Sequence, residues 1–203
     1  MINVIWGVLG FCLFGLYDVN SVIWKIKAIH SSFAAGCILL VIGSAGLGYE
    51  ALAAGGPAGV CDYILISLGI LNMFLLIYTL FFALPFEETY CSREGKKDGI
   101  CRVEEKSNVC DRGVYALCRH PGVLWFFFFF FFCGLALHSK LFFTGGLIFS
   151  ACNLGYVIFQ DIWTFPKTFS DYEEYKEKTP FLIPDWKSIK ACMASFAEGR
   201  GRK

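Results

Sequence analysis

Charge is what this chain has least of. Asp, Glu, Lys and Arg make up 17% of its 203 residues, against 56% hydrophobic side chains, whereas an ordinary soluble domain carries about a quarter charged residues. That balance excludes a typical water-soluble domain and reads as a polytopic membrane protein. Net charge is nearly absent too: the formal value of +1 leaves no footprint for binding nucleic acid. The first apolar stretch begins at residue 2 with no basic segment before it and no small-residue cleavage site after it, so it is expected to be a retained span, not a removed signal. The ten cysteines include none of the close Cys-x-x-Cys pairs that make zinc sites, and no metal site is expected. Cys12, Cys37, Cys133 and Cys152 fall in apolar segments as small packing residues. Cys91, Cys101, Cys110 and Cys118 share one polar loop, where thiols stay reduced if the loop is cytosolic.

Long apolar runs are abundant. They predict spans over Ile2–Tyr17, extending toward Trp24, then Phe33–Leu47, Ile64–Phe86, Val123–Leu137 and Leu141–Trp163. The second carries many small residues, with Ser44 and Gly48 spaced to share a helical face where a neighbouring helix could come close. Phe126 to Phe132 is an unbroken phenylalanine run with no polar face, suited to lipid and helix packing. His138-Ser-Lys140 is the turn of a hairpin. The connection Tyr49–Tyr63 has acids but no lysine or arginine, whereas Lys25, Lys27, the loop Glu87–Arg119 and the C-terminal tail are basic. Basic loops stay cytoplasmic, so five spans put the N-terminus outside and the C-terminus in the cytoplasm. The fold expected is an all-α, multi-pass integral membrane protein of about five transmembrane helices. Residues 1–86 hold the first three, and residues 87–203 hold the cytosolic loop, the helical hairpin and the tail.

One dense polar signature adjoins a span: Gly113-Val-Tyr-Ala-Leu-Cys-Arg-His-Pro121. Pro121 is suited to the first turn of a helix, where its missing N–H costs nothing. Arg119 and His120 then stand at a helix entrance, where free N–H groups and the dipole favour an anionic group. Arg119, His120 and Tyr115 could equally be anchors at headgroup level. The tail segment Phe169–Pro184 is polar with Tyr172, Tyr175 and Phe181 at intervals, either a lid or a helix lying on the membrane surface.

The pattern Val109-x-x-x-Gly113-x-Tyr115-x-x-x-Arg119-His120-Pro121, followed by a hydrophobic hairpin and by Phe169-Ser-Asp-Tyr-Glu-Glu-Tyr175-Lys-Glu-Lys-Thr-Pro180-Phe-Leu-Ile-Pro184, resembles the isoprenylcysteine carboxyl methyltransferases and their phospholipid methyltransferase relatives. The resemblance covers roughly the C-terminal half. It implies a site for S-adenosylmethionine closed by the motif and the C-terminal helix, with a lipid-like or prenylated acceptor entering from the bilayer. It assigns Arg119 and His120 to catalysis and, with Pro121, to the cofactor clamp, Tyr115 to the wall, and Tyr172 and Tyr175 to the lid. Where the family has Arg-Glu-Glu near the end of the last span, this chain reads Gln160-Asp161-Ile162. Asp161 keeps an acceptor for the cofactor ammonium. The family's substrate-contacting arginine has no counterpart in this span, so the prenylcysteine substrate itself does not carry over. Two alternatives stay open: a nicotinamide-dependent sterol-type reductase, which also bears an Arg-His-Pro turn ahead of a hairpin, and a membrane protein that keeps the fold without catalysis.

Overall fold

The structure, a computed structural model, describes residues 1–83 and 109–200, the last three as backbone only. The expected end of the third span at Phe86, the acids Glu87 and Glu88, Cys91, Cys101 and most of the cytosolic loop lie outside the described residues. The described chain is helical nearly throughout. Its principal helices are α1 (Ile2–Val19), α2 (Ser32–Ala53), α3 (Val60–Phe81), α4 (Val114–Leu117), α5 (Pro121–Ala136), α6 (Lys140–Phe159), α7 (Phe165–Thr168), α8 (Tyr172–Lys178) and α9 (Trp186–Arg200). Among the described residues four stretches are long and apolar enough to cross a membrane: Ile2–Trp24, Lys27–Ala53, Val60–Phe81 and Lys140–Thr168. The fifth expected span, α5, is apolar but has 16 residues, a rise of about 24 Å against a hydrocarbon core of about 30 Å.

The chain forms two compact units, residues 1–74 with 123–164, and residues 75–122 with 165–203. Each draws on sequence from both sides of residue 86. Helices α3 and α5 run from one into the other.

In the first unit α1 packs on α2, and both pack on α6. The α1–α2 contact is backbone against backbone. A Cβ on Gly10 would stand 2.8 Å from the Gly36 carbonyl oxygen, one on Gly36 2.8 Å from that of Gly10, and one on Gly43 2.5 Å from that of Asn3. Close approach of this kind is how helices associate in lipid, where apolar side chains gain little by leaving it. The expected Ser44/Gly48 face is not this contact, since a Cβ on Gly48 would meet only Phe142, at 3.9 Å. The phenylalanine run also acquires an inside. Phe126, Phe130 and Cys133, at i, i+4 and i+7, are buried; Phe130 packs edge-on to Phe149, which fills the space left by Gly7.

Polar groups gather at the two ends of this unit. At one end Asn3 donates to Glu50 Oε1 (2.8 Å), Asp62 Oδ2 accepts from the N–H groups of Ala58 and Gly59, and Asp62 Oδ1 meets His138 Nε2 at 3.1 Å. The chain's start, the Tyr49–Tyr63 connection and the hairpin turn therefore share one end, as the alternation of spans requires. At the other end Asn20, fully buried, closes the α1–α2 turn by accepting from Ile26 N–H and donating to the Ile26 carbonyl. Lys25 takes a left-handed conformation there.

Candidate functional site

The second unit holds most of the expected site residues. Gly113 precedes the single turn of α4 with φ +60° and ψ −131°, a conformation costly for any residue with a side chain. Its N–H donates to Ser195 Oγ of α9 at 2.9 Å. This ties the start of the motif to the last helix. From α4, Tyr115 sends its hydroxyl to the Thr79 carbonyl (3.0 Å), while its own carbonyl accepts from the hydroxyl of Tyr175 (2.6 Å). Burial among neighbours, Cys118 foremost after desolvation itself, pushes the Tyr175 phenol well above its usual range, so it is a neutral donor at any physiological pH.

Beyond α4 the chain extends and meets the tail. Arg119 N–H donates to the Pro180 carbonyl (2.9 Å) and His120 N–H to that of Phe181 (3.3 Å). The guanidinium reinforces this pairing: Nη1 donates to the carbonyls of Lys176 (3.1 Å) and Thr179 (2.9 Å) at the end of α8, and Cζ stands 5.5 Å from the centre of the Phe181 ring. Carbonyls at a helix C-terminus lack intrahelical donors, and a cation suits the negative end of the dipole. The His120 imidazole is buried, stacked on Phe165 at 5.8 Å and edge-on to Phe181 at 5.1 Å. Pro121 opens α5 as expected and is fully buried.

The expected lid is the other half of this clasp. Tyr172 and Tyr175 are both buried on one side of α8, their rings 6.0 Å apart, and Tyr172 packs against Phe165 and Phe169. Tyr115, Arg119, His120, Pro121, Tyr172 and Tyr175 thus belong to one packed cluster. Apart from the Tyr115 hydroxyl on Thr79, the polar contacts given above run from motif to tail. Asp161 belongs to the first unit, buried in the π-helical turn Gln160–Thr164 that ends α6, and Gln160 beside it donates to the Tyr156 hydroxyl at 2.8 Å.

Several contributors escaped the sequence. Asp171 accepts from Val109 N–H at 2.9 Å, which pairs the first residue of the motif with the residue that precedes the tail helix. A cavity of about 290 Å³ opens among α4, α8 and α9, lined by Asp111, Asp171, Glu174, Lys178 and Lys187 over a floor that includes Ala116 and Tyr175. Glu174 and Lys178 pair along α8; each holds the other charged, the carboxyl below and the amine above its ordinary range. In the first unit Asp18 is buried in α1 and accepts from Thr164 Oγ1 at 3.4 Å. Compared with known proteins, the chain matches no family model, no curated protein and no solved structure.

Proposed function

We propose that this chain transfers the methyl group of S-adenosylmethionine to a lipid-like or prenylated acceptor at the membrane surface. The observation that carries the reading is the clasp: the two segments on which the resemblance rests, 113–121 and 169–184, pair within one unit through bonds between residues 57 and 60 positions apart. The cofactor presents a carboxylate, an ammonium and a sulfonium beside an apolar adenine. Lys178 and Lys187 suit the first, Asp111 and Asp171 the cations, and the floor around Ala116 and Tyr175 the ring. The cavity's volume of about 290 Å³ lies at the lower end of the roughly 300–1,000 Å³ typical of ligand pockets. By donor chemistry the residues fit.

S-adenosylmethionine, when bound, supplies a methyl group already activated by the sulfonium. The protein's share is alignment and exclusion of water, which together provide most of the acceleration in such transfers. Arg119 acts here as a positioning residue that holds the tail to the motif. His120 fills the space between Phe165 and Phe181, and Tyr175 fixes α8 through the Tyr115 carbonyl.

A second reading, a fold kept without catalysis, has one observation in its favour. Arg119 Nη1 and the N–H groups of Arg119 and His120, the expected anion clamp, all donate to carbonyls of the tail. Thermal unfolding of the detergent-solubilised protein separates the readings, because a ligand that binds only the folded state raises the midpoint by mass action. S-adenosylhomocysteine is expected to raise it, and Lys187→Gln to weaken the effect. No shift, together with no retention of labelled S-adenosylmethionine on dialysis, selects the second reading. A shift with NADPH alone selects the reductase.

A further inference from the structure

Helix α9 is built the wrong way round for water. Its protein-facing side is small and partly polar: Ser188 and Cys192 are buried, and Ser195 accepts from Gly113 N–H. Two of its large apolar side chains point outward. Trp186 is 72% exposed and Met193 69%, and Ile183 just ahead of the helix is 79% exposed, whereas the Phe196 ring lies beside Gly113. At 100° per residue Trp186, Met193 and Ala197 form one stripe opposite Ser188. Lys190 and Lys187 follow along one flank of that stripe, both exposed. The helix start is well made, since Asp185 accepts from Ser188 N–H at 2.7 Å, which holds its carboxyl below the usual range. The inverted face therefore belongs to a properly capped helix.

We infer that α9 is an interfacial helix that seats Trp186 and Met193 at the headgroup–acyl boundary of an anionic leaflet, with Lys190 on lipid phosphates and carboxylates. Three observations converge on a bilayer as occupant. The described residues include four stretches long and apolar enough to cross a membrane, so a bilayer is at hand. The unit holding α9 also contains the last residues of α3 and the first of α5, the points at which the chain leaves and re-enters apolar helices. Tryptophan and methionine flanked on one side by lysines match the layered chemistry of an anionic membrane surface. The inference is independent of the catalytic reading: a seated α9 fixes Ser195, and with it Gly113 and the start of the motif, relative to the lipid.

Spin labels at single cysteines test this in the full-length, otherwise cysteine-depleted protein, reconstituted in nanodiscs of phosphatidylcholine with phosphatidylserine. Labels at positions 186 and 193 are expected to collide with oxygen and be shielded from a water-soluble nickel chelate. A label at 194, on the lysine flank, is expected to show the reverse. These positions are exposed, so labelling should leave the thermal midpoint unchanged. In discs of phosphatidylcholine alone, and in Lys190→Gln, the contrast between 193 and 194 is expected to be lost in large part. Equal nickel access at 193 and 194 would place the helix in water and overturn the inference. Shielding of 193 from both reagents with dipolar broadening would overturn it in favour of a second copy of the chain, and a contrast unaffected by phosphatidylserine would overturn the anionic assignment.

Discussion

Removing the Arg119 guanidinium should open the clasp. Nη1 donates to two carbonyls at the end of α8 and the guanidinium lies against Phe181. A hydrogen bond from a charged donor is worth about 1.5–3 kcal/mol, but the side chain is partly exposed, so water competes for both carbonyls and the pair is counted as little more than one bond. A cation–π contact adds about 0.5–1 kcal/mol. Arg119→Ala should thus cost about 2–4 kcal/mol locally, roughly a 30- to 700-fold rise in the open population at 1.4 kcal/mol per factor of ten. Arg119→Lys keeps the charge without the planar fork and should recover only part of this. Hydrogen exchange in nanodiscs reads it directly, since the amides of Arg119, His120 and Thr179 are bonded to the Pro180, Phe181 and Tyr175 carbonyls. Peptides covering 117–121 and 175–183 should exchange faster in the alanine variant while peptides from α1 and α6 do not change. Unaltered exchange in both clasp peptides would refute the argument, and unaltered exchange combined with lost S-adenosylhomocysteine binding would make Arg119 a ligand-directed group.

In the first unit Gly36→Ala would place a methyl 2.7 Å from the Phe14 ring and 2.8 Å from the Gly10 carbonyl, so about 1–3 kcal/mol of overpacking should appear as a lower thermal midpoint; Gly15→Ala, with nothing within 4 Å, should not lower it. Burial pushes the Cys118 thiol from 9.0 up to about 11. The folded state therefore holds this proton more tightly, so the thiol's contribution to stability is full below pH 9 and is lost as pH rises through about 11. Native protein at pH 8 should alkylate at Cys118 far more slowly than at the exposed Cys61, with the difference abolished in denaturant; equal native rates would contradict the burial.

Spans were legible because lipid imposes length and apolarity on every crossing, but their ends were not. From the sequence the second span ends at Leu47, ahead of Tyr49 and Glu50; the helix runs to Ala53, where Glu50 accepts from Asn3 in the first turn of α1. From the sequence the third begins at Ile64, whereas α3 starts at Val60, where Asp62 accepts from the Ala58 and Gly59 N–H groups. Pro121 marked the start of α5 correctly, since proline at a first turn is a local rule. The destination of Arg119 was not legible. An arginine beside a helix entrance suggests an anion when only the sequence is seen, and the carbonyls it holds lie 57 and 60 positions away.

The N-terminal half, which resembled nothing, contributes a feature of its own. Asp18 is buried at the end of α1 just before the π-helical turn Asn20–Trp24, and Thr164, which donates to it, closes the π-helical turn that ends α6 and holds Asp161. Single π turns inside helices concentrate at functional sites, and ionisable groups within spans are costly to keep. Two buried acids at such turns, on elements that pack together, are more than interchangeable membrane anchors would need.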